Sequence, residues 1–173
     1  LLQHAPWIYQ GSFSKSLSPA LRLGYLVASP ELIPYLTRLK QAADLHSSRI
    51  SQWLVLQQLR APNHAEHMNE LAAYYKSRRD AFEISLQRHF GSLASWEKPA
   101  GGLFFWLTLN HCIDTRKLLP KALERNIAFM PGESFLPYPS EGCGQLRLNF
   151  SHATEEQADM GLQVLAALVR EYC

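Results

Sequence analysis

Near residue 92 the spacing of apolar residues changes period, and that change limits the chain more than any other feature it has. Before it, apolar positions recur every three or four residues, as in helices with one buried face. After it they alternate within short runs bounded by turn residues, as in half-buried strands. Leu32, Leu36, Leu39 and Ala43 mark a first helix, where Pro34 is tolerable only because it falls in the first turn. A shorter helix is expected over residues 51–59. Pro62 then breaks the chain, and Asn63 with Glu66 three residues on forms an N-cap signature. The long helix that follows has Met68, Leu71, Tyr75, Phe82 and Leu86 on its buried stripe and Gly91 as its stop.

Beyond the change, Leu103, Phe105, Leu107 and Leu109 alternate with Phe104, Trp106 and Thr108, a strand apolar on both faces and so expected to be covered on both. Asp114 can cap a helix reaching Arg125, and residues 127–130 read as a short strand closed by Pro131 and Gly132. In residues 146–150 the even positions are apolar, while Arg147 and Asn149 share the opposite face. Thr154 and Gln157 form a capping box for a last helix that buries Ala158, Leu162, Leu165 and Val169. Strand, helix, strand, strand and helix make a small α/β domain over residues 92–173. Residues 63–91 are its connecting helix, and residues 1–62 read as the remnant of a larger domain. In that remnant an apolar stretch at residues 7–9 and a buried strand at residues 24–28 flank a Ser-rich loop.

The chain has 173 residues, 47% of them hydrophobic, enough for one core or for a small domain plus part of another. Its net charge of +2 is spread among interspersed acids and bases, which suggests neither nucleic acid nor an anionic membrane as the main partner. No apolar run approaches the roughly 20 residues that span a bilayer, and the start lacks a secretory signal pattern. A cytoplasmic chain is expected. Cys112, Cys143 and Cys173 are odd in number and form no Cys-x-x-Cys pair, which suits buried or incidental thiols in a reducing compartment. The strongest motif arrives about fifteen residues after Leu1, so the sequence reads as if it begins partway through a protein.

That motif is the loop Gly11-Ser12-Phe13-Ser14-Lys15-Ser16-Leu17-Ser18-Pro19-Ala20-Leu21-Arg22-Leu23-Gly24-Tyr25. Serine hydroxyls and an arginine fork can hold a phosphate, and a partly desolvated lysine loses its proton readily and can form a Schiff base. The same residue types also make an ordinary solvated connection. Arg147, on the polar face of an otherwise apolar strand, needs an anion, because an unpaired buried charge costs several kcal/mol. A substrate carboxylate or a structural Asp or Glu would serve. His64 and His67 beside Glu66 and Glu70 could bind a metal, but a solvated helix start accounts for them, and no metal site is expected. Arg78 and Arg79 are expected to face water, and Trp53, Trp96 and Trp106 to be core or dimer contacts.

Ser12-x-Ser14-Lys15 followed by Arg22 and Gly24 resembles the cofactor-lysine motif of fold-type-I pyridoxal-phosphate enzymes of aminotransferase class I/II. It looks closest to the aminoadipate and kynurenine aminotransferases and to the aminotransferase-like domains of MocR-type GntR regulators. Pro99-Ala100-Gly101-Gly102-Leu103-Phe104, Phe129-Met130-Pro131-Gly132-Glu133-Ser134-Phe135 and Leu146-Arg147-Leu148-Asn149-Phe150-Ser151 are similar to later segments of that family, in the same order. The resemblance implies the C-terminal part of an aspartate aminotransferase-like fold, a remnant of the large domain plus a small α/β domain. It implies pyridoxal 5'-phosphate as cofactor, Lys15 as the catalytic Schiff-base lysine, Ser12, Ser14 and Arg22 as phosphate ligands, and Arg147 as the grip on the substrate carboxylate. The expected activity moves an amino group between an α-amino acid and a 2-oxo acid in a homodimer. The alternative is the effector-binding domain of a MocR regulator, which touches nucleic acid only through a winged helix upstream. Family residues around the cofactor ring precede the lysine in the chain, so the 173 residues are expected to hold half of a site.

Overall fold

The computed structural model describes residues 5–137 and 144–172. The chain divides into two compact units, residues 1–71 and 72–173, with the division falling inside one long helix.

In the first unit, strands β1 (Ile8–Ser12) and β2 (Gly24–Ala28) form an antiparallel ribbon with Ser12 opposite Gly24 and Gly11 opposite Tyr25. Both glycines are needed for the close approach. A Cβ on Gly11 would fall 2.2 Å from the Tyr25 ring, and one on Gly24 would fall 2.8 Å from the Gly11 carbonyl oxygen. A short 3-10 turn at Pro30–Leu32 leads into helix α1 (Ile33–Asp44), with its proline in the first turn as expected. Helix α2 (Arg49–Arg60) starts two residues earlier than its apolar spacing suggests, because the Ser48 side chain accepts the Ser51 N–H and caps it. Helix α3 (His64–Phe90) begins directly after Asn63.

The expectation that Gly24–Ala28 is a buried strand needs correction. It is a strand, but Tyr25, Leu26 and Val27 are each 40% or more exposed. A two-stranded ribbon buries side chains only when another layer covers a face, and Ser29 and Val55 are the only buried residues described in this unit.

The second unit has a true core. Strands β3 (Ala94–Trp96), β4 (Phe104–Leu109), β5 (Met130–Pro131) and β6 (Gln145–Asn149) form an antiparallel sheet in the order β3-β4-β6-β5. Helices α4 (Thr115–Glu124) and α5 (Glu155–Glu171) complete it. One sheet face supplies Phe105, Leu107, Leu109, Leu146 and Leu148 to a core shared with Phe82, Leu86 and Phe90 of α3 and with Leu162, Leu165 and Val169 of α5. Phe105 stacks on Phe82 with ring centroids 5.6 Å apart and meets Phe150 edge-on. The Thr154 and Gln157 capping box is present in both directions, and Asp114 caps α4 through the Arg116 N–H.

Two expectations here are corrected, and one strand is added. Strand β4 is covered on one face only. Phe104 is half-buried and Trp106 is 36% exposed, because all the helices of the core lie against the other face. The strand expected over residues 127–130 shrinks to Met130–Pro131. Asn126 takes φ 60°, its N–H meets Leu123 O, and the Ile127 N–H reaches back to Ala122 O at 2.9 Å, so these residues finish α4 instead of starting a strand. Strand β3 lacked a clear alternation in sequence and is added by pairing with β4.

Arg78 and Arg79 do not simply face water. The Arg78 guanidinium donates to the carbonyls of Ala153 and Phe150, and Arg79 donates to Pro99 O at 3.0 Å and to Asp80. Long guanidinium stems satisfy carbonyls that no helix or strand claims. Trp96 packs against the core, but Trp53 is 59% exposed. His64 and His67 are half-buried, with His64 Nδ1 enclosed and without a partner among the described residues. Cys112 is exposed, and Cys143 and Cys173 lie outside the described residues. Among the described residues no helix is long and apolar enough to cross a membrane, and no cluster of three or more His, Cys, Asp or Glu could hold a metal.

Candidate functional site

The β1–β2 connection spans residues 13–23 and is closed at its base by the Phe13 N–H donating to Leu23 O at 3.1 Å. Inside it the chain turns tightly. Phe13 O accepts the N–H groups of Leu17 and Ser18, Ser12 Oγ accepts the Ser14 N–H at 3.2 Å, and Ser18 Oγ accepts the Ala20 N–H. A 3-10 turn at Pro19–Leu21 then ends on Arg22, which sits in the left-handed region at φ 46° and donates its N–H to Pro19 O. The turn therefore holds Ser12, Ser14, Lys15 and Arg22 on one short loop, with Ser12 bonded directly to Ser14. Lys15 and Arg22 are both exposed, and neither forms an ion pair among the described residues. Lys15 is not the partly desolvated lysine expected from sequence, for the same reason that β2 is exposed: no layer among the described residues covers the ribbon.

Arg147 lies in the second unit, on the half-open face of β6. Across the sheet it pairs with Trp106 of β4 on one side and Met130 of β5 on the other. Its guanidinium carbon stands 4.1 Å from the centroid of the Phe104 ring and 4.5 Å from that of Phe135, so the cation is held between two aromatic faces. Trp106 meets Phe135 edge-on at 5.4 Å. The Arg147 Nε is buried, and among the described residues it has no hydrogen-bond partner and no carboxylate pairs with the side chain. The structural ion pair weighed against a substrate role is thus absent among them.

Sequence reasoning missed this aromatic frame. Its signal was the even spacing of Phe104 and Trp106, which puts both on one face of β4, but their meeting with Arg147 depends on strand register. It also missed Glu133 and Thr115, both buried, whose side chains are hydrogen-bonded to each other just behind Phe135.

The family Aminotransferase class I and II matches residues 1–165. The aromatic-amino-acid aminotransferase 1 of Thermococcus litoralis is 35% identical over 95% of the chain, which covers 39% of that protein. An uncharacterised HTH-type transcriptional regulator of Bacillus subtilis, YisV, is 32% identical over 94% of the chain, which covers 33% of it. The crystal structure of Pyrococcus horikoshii kynurenine aminotransferase, solved with PMP, KYN and KYA, superposes with a TM-score of 0.87 at 33% identity. It matches 95% of this chain and 41% of its own. The fold is that of the aspartate aminotransferase-like, fold-type-I transferases. The chain belongs to the class I and II aminotransferase family, and it spans a third to two fifths of the length of these relatives.

Proposed function

We propose that this chain carries the cofactor lysine and the carboxylate-binding arginine of a pyridoxal-phosphate-dependent aminotransferase. One observation carries the reading furthest. Arg147 is a half-buried guanidinium clamped between Phe104 and Phe135, without a carboxylate partner among the described residues. An arginine fork held in that state suits a planar carboxylate arriving from outside the unit.

The donor set at the end of β1 and on the 13–23 loop fits the cofactor. Arg22 and the hydroxyls of Ser12 and Ser14 can neutralise and hydrogen-bond a phosphate, and the unpaired Lys15 Nζ can condense with an aldehyde. When bound, pyridoxal 5'-phosphate supplies the electron sink for breaking a bond at the amino-acid α-carbon. The chain's own part is to anchor the phosphate, to present an amine that takes up and returns the α-proton, and to orient the substrate through Arg147.

The near absence of a core in residues 5–71 fits a unit completed by further polypeptide, from the same chain or from a second subunit in a homodimer. The substrates in this reading are an α-amino acid and a 2-oxo acid, and the setting is cytoplasmic. The test is the absorption spectrum of the full-length protein. A visible band that borohydride reduction fixes covalently on Lys15, and that Lys15→Ala abolishes, supports the reading; a band that survives Lys15→Ala overturns it.

A second reading is favoured by the match to the HTH-type regulator over 94% of the chain. There the same lysine and arginine bind an effector while an upstream domain grips DNA. Amino-acid-dependent DNA binding by the full-length protein, without turnover, would select it.

A further inference from the structure

The single turn Gly132–Phe135 links a buried carboxylate to the aromatic clamp on Arg147. Glu133 is 1% exposed and Thr115, the first residue of α4, is fully buried. Glu133 Oε1 accepts the Thr115 backbone N–H at 3.1 Å, and Oε2 accepts the Thr115 hydroxyl. That hydroxyl is also 2.9 Å from the carbonyl oxygen of Gln145, two residues before Arg147 on β6. The turn presses directly on β6 as well, since a Cβ on Gly132 would lie 2.4 Å from the Gln145 Cβ and 2.7 Å from its carbonyl oxygen. Two residues after Glu133, the Phe135 ring closes over the guanidinium opposite Phe104.

A carboxylate is an expensive group to bury for the sake of holding a turn. A carboxylate hydrogen-bonded to the first N–H of a helix gains from the partial positive charge there and is fixed in two directions at once. Phe135 by contrast is 45% exposed, with the Trp106 ring edge-on at 5.4 Å and the Arg147 guanidinium as its ring contacts among the described residues. Two residues upstream, the bonds from Glu133 to Thr115 tie down the turn that carries the ring. The Arg147 Nε beside these rings is buried and has no hydrogen-bond partner among the described residues.

We infer that Glu133 is a positioning residue for Arg147: by tying the Phe135 turn to Thr115 it keeps the Phe135 ring over the guanidinium, and so fixes where Arg147 meets the incoming carboxylate. This rests on the proposal that Arg147 binds the substrate carboxylate, and it adds two residues, Glu133 and Phe135, that act on binding through Arg147.

The test compares Glu133→Gln, Phe135→Ala and the double variant in the full-length protein by steady-state kinetics. Each single substitution is expected to raise the amino-acid KM about fivefold to twentyfold with kcat within about twofold. The double variant should be no worse than the poorer single one, because both act on one element. An unchanged KM in Glu133→Gln, or effects that multiply in the double variant, overturns the inference. Should Glu133→Gln fail to fold, Thr115→Val removes the hydroxyl from the same carboxylate while keeping the backbone N–H, and an unchanged KM there overturns it equally. Arg147→Ala separates the two levels. If that variant binds amino acid normally, the carboxylate reading itself fails; if it binds poorly while Glu133→Gln binds normally, only the positioning role is lost.

Discussion

Arg147 and Phe104 stand on neighbouring strands, with the guanidinium carbon 4.1 Å from the ring centroid. A cation over an aromatic face in a partly desolvated site gains on the order of 0.5–2 kcal/mol. That gain helps to hold the arginine on the sheet face, where no carboxylate among the described residues pairs with it.

Arg147 should therefore be the most costly residue of the second unit to replace for binding. Losing one partner of a buried charge pair costs about 2–5 kcal/mol, so Arg147→Ala in the full-length protein is expected to lower kcat/KM by roughly thirtyfold to several thousandfold. Arg147→Lys should recover little of this, since an ammonium can neither lie flat between Phe104 and Phe135 nor bind a carboxylate through two parallel bonds. Steady-state kinetics on both variants checks the expectation, and a lysine variant near wild type contradicts it.

The two units should differ in stability when these 173 residues are produced alone. Residues 5–71 expose Tyr35, Leu39, Trp53 and most of β2, whereas residues 72–172 enclose a continuous core. Limited proteolysis is expected to cut before residue 72 first and to leave the second unit standing. Added pyridoxal 5'-phosphate should bind weakly or not at all, with no useful transamination. Measured turnover by the isolated chain would contradict this.

The capping box at α5 gives a clean stability measurement. Thr154 Oγ1 accepts the Gln157 N–H at 3.2 Å, and Gln157 Oε1 accepts the Thr154 N–H at 3.0 Å. Thr154→Ala removes the first of these and should cost about 1 kcal/mol, a fall in Tm of about 2–4 °C for a chain of this size. Calorimetry or urea unfolding reads it directly. No effect on Tm would mean that α5 is held by its buried face alone.

Asp159 and Asp80 should contribute to the acid limb of stability, together with Asp114 and Glu171, whose carboxyls Arg116 and Arg125 also hold below their ordinary values. The Ser85 hydroxyl first, then His89 and Arg88, hold the Asp159 carboxyl below its ordinary 3.8, and Lys98 first, then Arg79, do the same for Asp80. A carboxylate lowered by folding contributes stability above its unfolded value and loses it as the pH falls through 3.8 toward the folded value. Lys98, raised above 10.5 by Glu83 and then Asp80, works in the opposite sense: its contribution is present below 10.5 and lost as the pH rises through its folded value. Urea unfolding against pH should be flat in these terms between about pH 5 and pH 9 and fall at both ends. Asp159→Asn should flatten the acid limb, and an unaltered limb would show that the Asp159 cluster contributes nothing.

Much of the second unit was legible because its signals are local. Thr154 and Gln157 lie three residues apart, the spacing a capping box requires, and the alternation of Leu146, Leu148 and Phe150 with Arg147 and Asn149 places each side chain by pleat alone. The 127–130 strand failed because Asn126 entered the left-handed region to finish α4, a choice that no apolar period records. Strand β3 was missed because a strand of three residues is defined by its pairing with β4. In the first unit the Ser12, Ser14, Lys15 and Arg22 loop could be read by residue type, while the close contact of Gly11 with Tyr25 that shapes its base could not.

The existence of the helices, the caps at Asp114 and Thr154, the two faces of β6 and the set of groups on the Lys15 loop could be read from the chain alone, because each follows from residues within a turn or two of one another. Tertiary structure alone decided what surrounds those groups. Strand register placed Trp106 beside Arg147, a buried bond from Thr115 to Glu133 fixed the turn that carries Phe135, and the lack of a covering layer left β2 and Lys15 exposed. Contacts between residues far apart in sequence depend on how whole faces meet, and that is settled only when the packed structure is complete.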